Sequence, residues 1–299
     1  MKLQKKLIRY WDKIMQKLPH LFFLLPLFFI LTLVVAYPLF STFYLSFFKK
    51  DIININPVFC FFDNYILVLQ DKTFLMVLNN TLIWTVGNVI LTFLIGLTLA
   101  LILSDPKLKF RKFFSNILIL PWAFSIPGHM SWIWLLNSDY GFFNQLLLDL
   151  GVIRERIAWL SEPSIALFSC IIPNTWHMFP YMTTMLLAGV LAIPKELYEA
   201  SEIDGANKLQ KFIHITIPQL KPVMLVAIIL YTIWTMNSFV PYVLVPGGLG
   251  NRVVTLPIYI YKTFFIAFNF GIGAAMSVFL FLANLVLVII YLRSVRTEW

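Results

Sequence analysis

The sequence predicts an all-α membrane protein that crosses the bilayer with six helices. Of its 299 residues, 60% are apolar and only 12% are charged, which is more apolar surface than a soluble domain of this size could bury. A helix needs about 20 apolar residues to cross about 30 Å of hydrocarbon. Six runs of this kind are present, at about 21–47, 79–103, 113–137, 164–192, 222–246 and 264–292.

The two ends of the chain flank the domain that these runs would form, residues 21–292. In residues 1–20, apolar side chains recur at helical spacing among lysines, which predicts a cytoplasmic helix lying in the membrane interface. These side chains are Leu3, Leu7, Trp11, Ile14 and Leu18. The first apolar run is too long for a cleaved signal peptide. Residues 293–299 are expected to form a short cytoplasmic tail.

The distribution of positive charge sets the expected orientation. Segments 1–20, 104–112, 193–221 and 293–299 lie on one side of the membrane and hold 16 of the 23 lysines and arginines. Positively charged loops stay in the cytoplasm, so we expect both termini inside, in a multi-pass protein of a bacterial cell (cytoplasmic) membrane. The net charge of +9 could also indicate a protein that binds nucleic acid. Because the basic residues flank apolar runs, topology and lipid contact explain them better, and no nucleic-acid partner is expected.

The chain lacks the motifs of several enzymes and transporters. No glycine is followed by lysine, so there is no phosphate-binding G-x-x-x-x-G-K loop. Neither H-E-x-x-H nor G-x-S-x-G occurs, and Cys60 and Cys170 form no disulfide or metal framework. The six runs contain no Asp, Glu, Lys or Arg, which disfavours transport driven by protons or sodium. We therefore expect no catalytic residue, no metal and no cofactor in this chain, and an energy source outside it.

The insert between the fourth and fifth runs is charged and compatible with helix. Pro194 suits the first turn of a helix, and Glu196 and Glu199 favour the positive end of that helix. Gly205 allows a backbone conformation that strains other residues, which predicts a turn into a second short helix. Pro218 then marks re-entry into the membrane.

This insert, residues 193–221, also carries a motif. Its order and spacing resemble the cytoplasmic EAA loop of ABC importer permeases, roughly E-A-A-x₃-G-x₉-I-x-L-P, with mild departures at Ser201 and Ile217. In that family the loop docks on the ATPase subunit. The resemblance therefore implies ATPase coupling at Glu199, Ala200, Ser201, Asp204, Gly205, Ile215 and Pro218. The alternative is an ordinary amphipathic connector whose carboxylates are solvated.

Similar matches run in collinear order along nearly the whole chain. They include Tyr37-Pro38, Asp63-Asn64-Tyr65, Asn79-Asn80-Thr81-Leu82, Leu120-Pro121-Trp122, Asp139-Tyr140-Gly141, Ala158-Trp159-Leu160 and Leu256-Pro257-Ile258-Tyr259. They are similar to first-subunit permeases of the carbohydrate branch, of glycerol-phosphate, multiple-sugar and maltose type. The resemblance implies the type I importer permease fold and a carbohydrate substrate. It also implies three partners: a second homologous permease, an ATPase dimer that binds ATP and Mg, and an extracytoplasmic solute-binding protein.

Two polar and aromatic stretches beside prolines interrupt the apolar runs and are the candidate substrate pathway. A sugar offers hydroxyl groups for hydrogen bonds and apolar C–H faces for stacking, and prolines that loosen a helix are tolerated mainly beside a cavity or other protein. The candidates are Asn174, Trp176, His177, Tyr181, Trp234, Met236, Asn237, Ser238 and Tyr242. In maltose-type relatives the sugar lies near positions matching Tyr181 and Met236-Asn237-Ser238. Helix packing through the same side chains is the alternative, and His129 and His177 are interpreted as packing or pore-lining residues.

Two other functions fit part of the sequence. A stand-alone six-helix facilitator or channel for a small neutral solute explains the uncharged runs equally well, but it leaves the Glu-Gly-Pro loop unexplained. An intramembrane enzyme lacks nucleophile–base and metal sets. The expected function is the transmembrane permease subunit of an ATP-driven ABC importer for a carbohydrate, with ATP hydrolysis in a partner subunit.

Overall fold

The structure, a computed structural model, describes residues 23–53 and 56–296 and is 74% helical. The interfacial helix expected over 1–20 lies outside the described residues, as do residues 297–299 of the expected tail. The helices are α1 (Phe23–Ser46), α2 (Asp63–Gln70), α3 (Lys72–Ser104), α4 (Arg111–Leu118), α5 (Leu120–Ala123), α6 (Ser125–Leu135), α7 (Phe142–Asp149), α8 (Ala166–Leu191), α9 (Lys195–Ile203), α10 (Lys208–Met236), α11 (Val240–Leu244), α12 (Leu256–Ile266) and α13 (Phe270–Arg296). Two short antiparallel strands, β1 (Phe48–Lys49) and β2 (Val58–Phe59), form a hairpin after α1.

Four helices in the described part of the chain, α1, α3, α10 and α13, are each long and apolar enough to cross a membrane. The helix α8 meets the same criterion only together with α9, from which it is bent by 64°. Its hydropathy is low because Asn174, Thr175 and His177 lie in the middle of it. The all-α class is confirmed, and five of the six predicted runs correspond to these helices.

The remaining run, 113–137, does not form the continuous span that was predicted. It is divided into the three short helices α4, α5 and α6. Pro121 lies in the first turn of α5, and Phe124, between α5 and α6, leaves the helical region at φ −103° and ψ 73°. Proline has no N–H with which to continue a helical ladder. Hydropathy alone hides this break because the residues around it are apolar.

The helices α3 and α10 begin well before their predicted starts. The Asp71 carboxylate caps α3 by accepting a hydrogen bond of 2.8 Å from a backbone N–H of its first turn. Asn207 and Gln210 cap α10 reciprocally through side chain and backbone. Polar caps satisfy the free N–H groups of a helix start, so both helices extend beyond the apolar runs. In α10 a wider π-helical turn, Phe212–Thr216, comes directly before the turn that contains Pro218.

The centre of the fold is the packing of α3 along α8 and of both against α10. Gly96 of α3 lies so close to α8 that an added Cβ would come within 2.6 Å of Met182 Cγ. Gly189 of α8 similarly faces α10, where a Cβ would lie 2.5 Å from Leu220 Cδ1. Small residues let helix backbones approach this closely in membranes. The three helices therefore form one closely packed unit that positions the candidate site.

The loop before α12 is fastened to this unit by polar side chains of α3. Asn80 Nδ2 donates to the backbone oxygens of Asn251 and Val254, both at 3.0 Å. Thr81 Oγ1 accepts a hydrogen bond of 2.8 Å from Leu256 N at the start of α12. These bonds explain why polar residues occur in the N-terminal part of an apolar helix.

Candidate functional site

The candidate coupling loop has the helix start and the turn predicted for it. Pro194, with φ −56° and ψ 132°, directly precedes α9, as expected of a helix start. Gly205 follows α9 with φ +78°, in the left-handed region that glycine adopts without strain. An added Cβ there would meet nothing within 4 Å, so the requirement for glycine is one of backbone conformation. Asn207 then begins α10, which continues without interruption to Met236. The prediction of a second short helix ending at Pro218 was therefore wrong, because the capped helix runs directly into the apolar span.

Two side-chain contacts tie α9 to the start of α10, and neither was predicted. Lys211 Nζ lies 2.7 Å from Glu202 Oε1, and the hydrogen bond from Lys211 holds the pKa of the Glu202 carboxyl below its ordinary value. The Tyr198 and Thr216 hydroxyls are 2.9 Å apart. No sequence signal marks these pairs, because the Gly205 turn and the α10 geometry bring them together.

The outward face of the loop is accessible. Five coupling candidates are exposed and two, Ser201 and Ile215, are half-buried. The exposed candidates are Glu199, Ala200, Asp204, Gly205 and Pro218. Apolar side chains share the surface: Ile203 is 88% exposed and Leu209 is 64% exposed. This surface therefore combines charged and apolar side chains.

A polar cavity of about 150 Å³ lies where α6, α8 and α10 meet. It is lined by Ser125, His129, Asn174, His177, Met178, Tyr231, Trp234, Thr235, Ser238 and Val240. Four of the nine pathway candidates, Asn174, His177, Trp234 and Ser238, are therefore brought together. From α6 the sequence indicated only His129, as a packing or pore-lining residue. Ser125 was missed, because that helix was interpreted as part of an uninterrupted span.

Asn174 belongs to a buried hydrogen-bond network as well as to the cavity wall. Its Nδ2 donates to Asn88 Oδ1 at 2.7 Å and to Tyr231 Oη at 3.3 Å. Tyr231 Oη is also 3.0 Å from Thr92 Oγ1. The network joins α3, α8 and α10. Asn174 thus combines the packing role with a position at the cavity.

Aromatic rings form one side of the same region. The ring centroids of Tyr181 and Trp234 are 4.9 Å apart, and Trp122 of α5 lies 6.3 Å from Tyr181. Trp234 is 47% exposed, whereas the Tyr181 hydroxyl is buried and has no hydrogen-bond partner. Exposed indole and an unpaired phenol provide the stacking surface and polar handle that a sugar could use.

The other pathway candidates do not line this cavity. Trp176 packs edge-on against Trp132, with ring centroids 5.9 Å apart. Met236 and Tyr242 pack against a separate apolar cluster that contains Val68 and Phe74.

Asn237 also lies apart from the cavity, at the end of α10. Its Nδ2 donates to Ile233 O at 2.8 Å and to Asn284 Oδ1 at 3.2 Å, which links α10 to α13. The side chain is nevertheless exposed. Its assignment to the pathway stays a prediction.

Two histidines meet at the cavity wall. The ring centroids of His129 and His177 are 4.8 Å apart in an edge-to-face arrangement. His129 Nδ1 lies 2.6 Å from Ser125 O, and His177 Nδ1 lies 2.9 Å from Pro121 O. Both imidazoles are therefore oriented by backbone carbonyls of the broken third run.

Known proteins resemble this chain over most of its length. It is 36% identical to the trehalose/maltose transport system permease protein of Thermococcus litoralis, covering 91% of this chain and 92% of the relative. It is 32% identical to the sulfoquinovosyl glycerol transport system permease protein of Agrobacterium fabrum, covering 99% and 96%. A solved bacterial ABC transporter for alginate import has a chain that matches with a TM-score of 0.83 and 22% identity, covering 97% of this chain and 99% of that one.

The likeness to the alginate transporter chain establishes the fold as that of a type I ABC importer permease. The family model described as binding-protein-dependent transport system inner membrane component matches residues 92–297, which include the coupling loop and the polar cavity. This chain therefore belongs to that family and is a multi-pass membrane permease.

Proposed function

We propose that the protein is the transmembrane subunit of an ATP-driven importer of carbohydrate. The observation that carries the proposal is the cavity between α6, α8 and α10, which combines amide, hydroxyl, imidazole and indole groups without a charged side chain. Such a lining suits a neutral polyhydroxylated solute. Two relatives named for sugar transport, at 36% and 32% identity, support the same substrate class.

The importer would be a complex in which this chain supplies half of the pathway. Its partners would be a second homologous permease, a dimer of ATPase subunits and an extracytoplasmic solute-binding protein. ATP and Mg would bind to the ATPase dimer, and this chain would carry no catalytic group. Both termini would lie in the cytoplasm, which places the coupling loop on the side of the membrane where ATP is available.

The coupling loop would receive the ATPase on α9 and the Gly205 turn. Ala200 and Ile203 offer an exposed apolar surface, and Glu199 adds a negative charge beside it. The contacts of Glu202 with Lys211 and of Tyr198 with Thr216 would make α9 and the start of α10 move together. A displacement of α9 by the ATPase would thus reach a helix that lines the cavity.

The sugar would pass along the aromatic and polar side of α8 and α10. Trp234 and Tyr181 would stack against its C–H faces, while Ser238 and Asn174 would lie within reach of its hydroxyl groups. Asn237, exposed at the end of α10, would contact the sugar next along the path.

Reconstitution tests this proposal. The chain, its partner permease, the ATPases and the binding protein are purified together and placed in proteoliposomes. Uptake of radiolabelled maltose and trehalose is measured, with anionic alginate oligosaccharides as the comparison. We expect uptake of at least one sugar. This uptake should require ATP in the compartment that the ATPase faces and the binding protein in the opposite compartment. Uptake by this chain alone, without ATP, would instead support the facilitator. A complex that moves none of the sugars contradicts the substrate class.

A further inference from the structure

We propose that His129 of α6 is a specificity-determining residue of the pathway and that its Nε2 atom accepts a hydrogen bond from a sugar hydroxyl. The inference rests on the proposed function and adds to it a residue from the broken third run. His177 supplies a second acceptor beside it. The pair would recognise a ligand that presents adjacent hydroxyl donors, as a pyranose ring does.

The hydrogen bonds of the two rings fix which nitrogen carries the proton. Ser125 O and Pro121 O are backbone carbonyl oxygens and can only accept, so His129 Nδ1 and His177 Nδ1 must each donate. A neutral imidazole has one N–H, and the other nitrogen is then an acceptor. In the neutral form of either ring, that acceptor is Nε2.

The acceptor of His129 is buried and unsatisfied. His129 is only 3% exposed, and its Nε2 has no hydrogen-bond partner. Asn174 lies beside the ring, but both of its amide hydrogens are committed, to Asn88 and to Tyr231. The Asn174 oxygen cannot donate, so it cannot satisfy an acceptor nitrogen.

A second unpaired atom belongs to the same cavity. The hydroxyl of Thr235, on α10, is buried without a hydrogen-bond partner, and Thr235 lines the cavity together with His129. Leaving a buried polar group unpaired costs roughly 1–3 kcal/mol, so such groups normally have a partner, a water or a ligand. Two of them around one polar space indicate a position that a hydroxylated ligand completes.

Charge excludes other classes of ligand at this place. None of the ten residues that line the cavity is Asp, Glu, Lys or Arg, so neither a cation nor an anion would find a counter-charge. A neutral hydroxyl can donate to Nε2 and accept from Thr235 at the same time. An apolar ligand would leave both atoms unsatisfied.

The test compares two replacements of His129 in the reconstituted complex. His129→Gln keeps an acceptor on a side chain of similar length, whereas His129→Leu removes it and preserves apolar volume. Uptake of maltose or trehalose, whichever the unmodified complex transports, is measured beside uptake of its monodeoxy derivatives. We expect the complex with histidine to prefer the parent sugar over one monodeoxy derivative by roughly three- to tenfold. His129→Leu should lose this preference, and His129→Gln should retain most of it.

The matched control is Ser131→Ala, on the same helix. Ser131 is exposed, and its hydroxyl bonds only within α6, to Gly128 O at 2.7 Å. We expect its discrimination between sugars to equal that of the unmodified complex. In a second measurement, the complex with ¹⁵N-labelled histidine is held in lipid nanodiscs, and addition of the parent sugar should shift the His129 Nε2 resonance.

The outcomes are distinct. In the first outcome, the unmodified complex transports a sugar, the His129→Leu complex discriminates between parent and monodeoxy sugar equally well, and the resonance does not shift. Water alone then fills the cavity, and the inference is overturned. If the unmodified complex transports none of the sugars, the proposed substrate class fails and the inference fails with it. Equal loss of discrimination in His129→Gln and His129→Leu would indicate packing, which also overturns it.

Discussion

Lys211 Nζ contacts Glu202 Oε1 at 2.7 Å across the turn at Gly205, and this ion pair joins the two helices of the coupling loop. Lys211 is largely covered, with 17% of its side chain exposed, whereas 69% of the Glu202 side chain is exposed. An exposed pair contributes little to global stability. Its importance would lie in holding α9 at a fixed angle to α10.

We therefore expect Glu202→Lys and Lys211→Glu each to reduce the sugar transported per ATP hydrolysed, because α9 would then move independently of α10. The double reversal, Glu202→Lys with Lys211→Glu, should restore much of the ratio. Uptake and phosphate release are measured in the same proteoliposomes, with Lys208→Glu as the control for added negative charge. Failure of the double reversal to exceed either single variant would argue against a mechanical role for the pair.

Gly205→Val should weaken recovery of the ATPase in co-purification while leaving membrane insertion intact. A valine at φ +78° would be strained by roughly 1–2 kcal/mol, and the turn would distort. The matched control is Gly151→Val, because Gly151 has φ +67° and also has nothing within 4 Å of an added Cβ. Gly151 lies outside the loop, so ATPase recovery should be normal in that variant. Equal recovery in both variants would contradict the coupling assignment.

Glu199→Lys should impair uptake more than Lys208→Glu does. Both residues are exposed, so neither change should unfold the chain. Glu199 lies within the motif on the exposed surface of α9, whose first turn holds Glu196 instead. Lys208 lies outside the motif. Equal effects on uptake would favour a solvated connector.

Asn237→Ala should lower uptake and sugar-stimulated ATP hydrolysis several-fold, since one hydrogen bond to a neutral partner contributes roughly 0.5–1.5 kcal/mol. Asn284→Ala is the control, because it removes the interhelical bond to Asn237 but leaves the Asn237 amide in place. If Asn237 binds sugar, only the first variant should reduce transport. If both variants lose activity together with complex assembly, the residue serves helix packing.

Local signals in the sequence were sufficient for much of the coupling loop. Pro194 restricts the backbone at its own position and Gly205 widens the conformations allowed at its own. The helix start and the turn could therefore be predicted without knowing the fold. The Glu202–Lys211 and Tyr198–Thr216 contacts could not, because they depend on how the turn and α10 are placed in space. They are nine and 18 residues apart.

The cavity was predicted in part for a related reason. Polar and aromatic residues in apolar runs identified α8 and α10, and Asn174, His177, Trp234 and Ser238 do lie together. Hydropathy gave no indication that the third run is broken beside Pro121, and His129 was therefore not included among the pathway candidates. Met236 and Tyr242 were included from sequence position, but they pack elsewhere because α10 ends at Met236 and Tyr242 lies on the separate helix α11.

The glycine contacts of α8 limit how alternating access can occur. At Gly96 and at Gly189 there is no space for even a methyl group between α8 and its neighbours, so sliding α8 lengthwise would drive side chains into backbone. Close packing without voids resists sliding of this kind. A push on α9 would therefore move α3, α8 and α10 together as a single block.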